Sequence, residues 1–178
     1  YTGDWHGLLT ALFSANIRKV GHNVKDMMRA LLSQDLPADG FVFDTALAAY
    51  LVDATAGSYD LPRLFVSYFN EELPPAAHLR ADAFNPLLGG GAEAQAALDS
   101  YTSAVSALYE TLPGRLTEMG LDALYRDVEF PLCRVLADME NAGFLVDRNA
   151  LADFGGMLQR AMDTTEQAIY TEAGETFN

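Results

Sequence analysis

Apolar and polar positions follow two different patterns along this chain. Over the first 70 residues or so, apolar residues come in short clusters separated by turn signals. Residues 7–15 (GLLTALFSA) read as a short apolar helix and Ile17–Gly21 as a short strand. Val24–Ser33 places apolar side chains at 24, 27, 28, 31 and 32, the spacing of one helix face. Asp39-Gly40 is a turn signal, and Phe41-Val42-Phe43 is a buried strand ending at Asp44. Strand, helix and strand in so short a span predict a right-handed parallel βαβ unit. Two strands alone make a poor sheet, so further strands are expected to pair with them.

Thr45–Val52 and Leu61–Phe69 read as short helices. Pro74-Pro75, Pro86 and Gly89-Gly90-Gly91 then mark residues 71–91 as a linker. The glycine triplet lacks the Lys-Ser/Thr and the preceding strand of a phosphate cradle, so it reads as a flexible loop. From there the period is helical. Residues 92–112 carry Leu98, Tyr101, Val105, Leu108 and Leu112 on one stripe, and Pro113-Gly114 is expected to end that helix. Residues 129–141 form the next helix, with Pro131 in its first turn and Gly143 beyond its end. After an extended link at Phe144–Asp147, Asp147 or Asn149 caps a helix reaching about Ala173. Its apolar stripe is Leu151, Phe154, Leu158, Met162, Thr165 and Ile169, over roughly 38 Å at ~1.5 Å per residue. The class is α/β but mostly helical, with no internal repeat.

Composition narrows the function. The chain has 178 residues, half of them hydrophobic, and a net charge of −14. Residues 1–89 hold 6 basic and 10 acidic groups, residues 90–178 hold 5 and 15. Nucleic-acid binding rests on cations that displace phosphate counterions, and only Arg18, Lys19, Lys25 and Arg29 form a basic stretch. Alone, the chain is expected to bind DNA weakly or not at all, to avoid membranes and to be monomeric. One cysteine, Cys133, excludes an internal disulfide, and His6, His22 and His78 have no metal-ligand spacing. No apolar run is long enough to span a bilayer, and the start is neither Met nor a signal peptide. A cytoplasmic piece of a larger protein is the expectation.

Two sets of motifs carry a specific resemblance. Val20-Gly-His-Asn-Val-Lys25, Phe43-Asp-Thr-Ala-Leu-Ala-Ala-Tyr-Leu-Val-Asp53 and Tyr59-Asp-Leu61 resemble the later half of the 3′–5′ exonuclease domain of bacterial family A DNA polymerases. Asp127-Val-Glu-Phe-Pro-Leu132, Val135-Leu-Ala-Asp-Met-Glu140, Gly143-Phe-Leu-Val-Asp147, Ile169-Tyr170 and Ala173-Gly-Glu-Thr-Phe-Asn178 are similar to that family's passage into the polymerase domain. They stand in the family's order and cover most of residues 17–178, with no clear match over 71–91. The resemblance implies residues 1–126 as the C-terminal part of an RNase H-like exonuclease domain, a parallel βαβ remnant. It implies residues 127–178 as the first helices of the polymerase domain, entering the thumb.

That family's exonuclease uses two divalent ions held by carboxylates. It draws them from an Asp-x-Glu pair on its first strand, an Asp four residues after the Asn of Gly-His-Asn, and an Asp four residues after a Tyr on a late helix. No Asp-x-Glu occurs in residues 1–23. Asn23 is present, but Met27 stands four residues on. Tyr101 is the best match for the Tyr, and Val105 stands four residues on. Neither a thioether nor an isopropyl group holds Mg²⁺. Met27 and Val105 are expected on core stripes, which implies an inert site with no catalytic, cofactor or metal residue in this chain. Asp26, with Asp44 or Asp99, is the one alternative metal set, and a solvated Asp26 is the simpler reading. Asp44 reads better as the cap of the helix at Thr45, His22 as packed or solvated, and Cys133 as a core residue. Glu129 suits a helix N-terminus, while Asp138 and Glu140 suit a solvated face.

The resemblance implies a DNA polymerase of replication and repair, with DNA as partner and Mg²⁺ serving a polymerase domain beyond Asn178. This stretch would be a catalytically inactive exonuclease-like scaffold. An active exonuclease with a shifted carboxylate set and a non-enzymatic helical interaction module are the alternatives.

Overall fold

The structure is a computed structural model and describes residues 3–79 and 91–177. The elements run α1 (Trp5–Leu12), β1 (Lys19–Gly21), α2 (Val24–Leu32), β2 (Phe41–Asp44), α3 (Thr45–Val52) and α4 (Leu61–Phe69). A 3₁₀ turn at Ala76–Leu79 follows, then α5 (Gly91–Glu118), α6 (Asp122–Leu124), a π turn (Tyr125–Glu129), α7 (Phe130–Ala142) and α8 (Arg148–Ala173). Gly89 and Gly90 of the expected loop lie outside the described residues, and Gly91 opens α5. Tyr1, Thr2 and Asn178 also lie outside them. The chain forms two compact units, Tyr1–Ala142 and Gly143–Asn178. Among the described residues no helix is long and apolar enough to cross a membrane.

In the first unit, β1 and β2 pair in parallel, Lys19 with Phe41, Val20 with Phe43 and Gly21 with Asp44, with an irregularity after Lys19. This is the βαβ unit that the pattern predicts. No further strand joins it among the described residues, and helices supply the burial that extra strands would have given. One cluster gathers Phe43, Ala48 and Ala49 of α3, Leu61 and Leu64 of α4, Ala104, Leu108, Leu112 and Leu116 of α5, and Tyr125. The other gathers Val24, Met28, Leu31, Phe41, Cys133 and Ala137, where α7 packs on α2. The turn before β2 is fixed by Gly40, at φ +72°, where an added Cβ would lie 2.2 Å from the Ile17 carbonyl oxygen. Only glycine fits there.

Four further sequence expectations fail, each for an identifiable physical reason. Met27 is 37% exposed rather than part of the core. At ~100° per residue it sits roughly 60° from Val24, at the edge of a face centred on Val24, Met28 and Leu31. Leu98 is half exposed, and Ala97 takes the buried position in that turn. The expected stripe on α5 is therefore shifted toward its small residues: Ala104 of α5 and Ala48 and Ala49 of α3 are buried in one cluster. Pro113 does not end α5, which continues through it to Glu118. Leu108, Leu112 and Leu116 bury one continuous face across the proline, and that burial outweighs one lost N–H bond. The helical run at 129–141 begins earlier, at Asp122, and passes through a π turn. There the Phe130 N–H bonds the Tyr125 carbonyl, and the wider turn relieves the clash of the Pro131 ring with the carbonyl of Asp127.

In the second unit, Asp147 caps α8 through Oδ1, which accepts from the N–H of Asn149 and of Ala150 at 2.9 and 3.1 Å. Gly174, at φ +77°, ends the helix. No side chain of α8 is buried: Leu151, Phe154, Leu158, Met162 and Ile169 all stay about half exposed or more.

Candidate functional site

The candidate site lies where β1 and β2 end and α2 and α3 begin. Gly21 pairs with Asp44, so the turn His22-Asn23 and the Asp44-Thr45 step face each other. Asn23 holds the left-handed backbone, φ 59° and ψ 52°, a conformation that Asn tolerates better than most residues. This turns its N–H and that of Val24 toward Asp44. Asp44 is 2% exposed. Its Oδ1 accepts from the N–H of Asn23 at 3.1 Å and of Ala46 at 2.9 Å, with Leu47 longer at 3.4 Å. Its Oδ2 accepts from the N–H of Val24 at 2.7 Å. One carboxylate thus caps two helices, where the sequence indicated one.

Two neighbours complete the cluster. The Asp44 N–H donates to the Tyr125 hydroxyl at 2.7 Å, and that hydroxyl points back to the Asp44 carbonyl at 3.3 Å. Tyr125 packs on Phe43 at 4.9 Å and stacks on Phe130 at 5.7 Å. Burial, opposed in part by the Asp44 hydrogen bond, raises its phenol pKa far above the ordinary value. His22 Nδ1 lies 2.9 Å from Thr45 Oγ1, and Thr45 Oγ1 donates to the Gly21 carbonyl at 3.3 Å. His22 Nε2 is buried and, among the described residues, has no partner of hydrogen-bonding geometry. Burial lowers the His22 pKa, against weaker opposing effects of Asp44, Asp60 and the Tyr59 carbonyl. Tyr125 was missed from sequence because its role depends on a contact 81 residues away, which no local period encodes.

The positions where the resemblance expects metal ligands are occupied differently. Met27 lies at the edge of α2 with its sulfur over Gly21, 3.2 Å from where a Cβ would stand. Val105 is partly buried against the α3–α5 cluster, beside Tyr101, whose hydroxyl donates to the Pro74 carbonyl at 3.2 Å. Asp26 is exposed and 3.2 Å from Lys25 Nζ. Among the described residues, no three His, Cys, Asp or Glu side chains gather as a metal site would need. A thioether, an isopropyl group and a carboxylate already bound by backbone N–H groups do not fit a pair of hard divalent ions.

Three of the four cations of the basic stretch are also engaged. Lys19 Nζ donates to the carbonyls of Leu12, Ser14 and Ile17 at 2.8, 3.0 and 2.6 Å and sits 5.7 Å from the rings of Phe13 and Phe41. Lys25 reaches Glu140 at 2.6 Å, and Arg29 reaches the same carboxylate at 3.4 Å. Arg134 bridges Asp138 and Asp39, both at 3.0 Å. Glu140 is thus exposed but ion-paired across elements, with Lys25 and Arg29 of α2, while the exposed Asp138 pairs with Arg134 within α7. Cys133 is buried, its thiol pKa pushed up to about 11 by desolvation first, so it is no nucleophile at neutral pH.

Sequence relatives cover nearly the whole chain. DNA polymerase I of Chloroflexus aurantiacus is 34% identical over 188 aligned residues, 96% of this chain, and that of Caldicellulosiruptor bescii is 28% identical over 171, again 96%. The chain is homologous to a segment of bacterial DNA polymerase I. A solved structure of the POL domain of Pol1 from M. smegmatis, in complex with DNA primer-template and dNTP, matches all of this chain at TM-score 0.71 and 28% identity. The match takes in 28% of that structure, and the chain spans less than a fifth of the two polymerase I relatives named. No protein-family model matches it.

Proposed function

We propose that this chain serves within a DNA-directed DNA polymerase of the DNA polymerase I type, acting on DNA in bacterial replication and repair in the cytoplasm. In this reading residues 1–126 are the later part of a degenerate, RNase H-like exonuclease domain with no catalysis of its own. Residues 127–178 are the first helices of the polymerase domain, and the exposed apolar stripe of α8 is a surface for the rest of that domain to cover. Mg²⁺ belongs to synthesis in the polymerase domain, and no ligand set for it gathers among the described residues. The observation that carries the reading is the replacement of both expected carboxylates, by Met27 and Val105, while the one buried carboxylate nearby, Asp44, has both oxygens bound by backbone N–H groups.

The test uses the full-length polymerase that contains this chain, with a 5′-labelled primer on a template and the same primer single-stranded. With dNTPs and Mg²⁺ the primer is extended. With dNTPs omitted, neither Mg²⁺ nor Mn²⁺ supports shortening of the single strand. Metal-dependent shortening that disappears in Asp26→Ala would instead establish an exonuclease with a shifted ligand set. Failure to extend would remove the polymerase reading altogether.

A further inference from the structure

Where α3, α4, α5 and the loop 53–60 meet, the structure leaves a cleft of about 610 Å³ that plays no part in the role just proposed. Ala49, Val52 and Leu64 give it an apolar lining, with Ala49 and Leu64 part of the buried core. Asp53 and Arg115 both line it, together with the hydroxyl-bearing Ser67 and Tyr68. The volume falls within the usual range of small-molecule sites, and a few polar groups around an apolar floor is their usual construction.

The two charges are available. Asp53 Oδ1 accepts from both the N–H and the hydroxyl of Thr55, at 2.9 and 2.7 Å, while Oδ2 accepts no bond among the described residues. The Thr55 bonds hold the Asp53 carboxyl below its ordinary pKa, so it is an anion at neutral pH. Among the described residues Arg115 uses one N–H, from Nη1 to Glu118 at 3.2 Å, out of the five its guanidinium offers. Among the described residues Asp53 and Arg115 make no ion pair with each other, yet both act on the Tyr68 phenol, with opposite signs and more weakly than burial does. A simple anion in this cleft would face Asp53, and a simple cation would face Arg115. A molecule carrying both charges on an apolar body finds a counterpart for each part in this lining.

We propose that this cleft binds a small zwitterion with an apolar body, the chemical class of a free apolar α-amino acid. The contacts are solvent-facing at the rim, so the affinity is modest, on the order of millimolar. The probe is L-phenylalanine titrated into the isotope-labelled chain and followed by NMR, with 3-phenylpropionate and phenethylamine as analogues that each lack one charge. L-phenylalanine is expected to give saturable shifts at Ala49, Val52 and Leu64, with each analogue at least ~5-fold weaker. Arg115→Gln should bring L-phenylalanine down to the level of phenethylamine, and Asp53→Asn to the level of 3-phenylpropionate. The wild-type series does not depend on how the variants fold. Absence of saturation up to about 20 mM, equal binding of all three probes, or shifts confined to other residues would overturn the proposal.

Discussion

Asp44 accepts hydrogen bonds from the first N–H groups of two helices, and both of its oxygens are engaged. Replacement by alanine leaves several buried donors without acceptors at once. Asp44→Ala is therefore expected to cost about 3 kcal/mol, above the usual range for one cap, and Asp44→Asn about half that, since Oδ1 can still accept. Urea midpoints at constant m-value measure both. If alanine were tolerated to within about 0.5 kcal/mol, the double-cap account would be wrong. His22 makes a pH prediction. Its pKa is lowered in the folded state, so between the folded value and the ordinary value near 6.5 the unfolded chain binds more protons. Stability should fall as pH drops below about 6.5, and His22→Gln should flatten that slope. The same fall in the variant would assign it to carboxylates instead.

At the scale of elements, α3 and α4 have the boundaries that their apolar runs indicate, because a cap or an N1–N2 proline marks each start and the runs are short. The bounds of α8 were legible too, its end near Ala173 and its cap narrowed to Asp147 or Asn149, of which the structure uses Asp147. Helix α5 was not, since Pro113 is a local stop signal that tertiary burial overrides. Pro113→Ala should restore an N–H bond to the Tyr109 carbonyl and stabilise the chain by about 1–3 kcal/mol. A thermal or urea midpoint that does not rise would mean the proline is relieved elsewhere in the helix. The misplacement of Met27 and Leu98 has the same origin. A sequence stripe says which residues are apolar, but the centre of the buried face is set by what packs on it.

For the whole molecule, the first unit owns two buried clusters, whereas α8 in the second buries no side chain. Helical stability in proteins comes mostly from packing, and Gly155 and Gly156 lower the intrinsic propensity of α8 further. In the chain by itself, α8 amides should exchange hydrogen at least ~10-fold faster than those of α3 and α5. Equal protection would show that α8 has found an apolar partner. The charge of −14 is likewise read better with the structure in hand. Residues 18–29 are the one locally basic stretch, and three of its four cations, Lys19, Lys25 and Arg29, are engaged by carbonyls and Glu140. Sequence alone determined the parallel βαβ unit, most helix bounds, the cap at Asp44 and the kinship, because these rest on local spacing and ordered motifs. The tertiary structure alone decided that Asp44 caps two helices, that Tyr125 closes on it, and which stripes are covered. Those depend on contacts between residues far apart in the chain, and a local period carries no record of its distant partner.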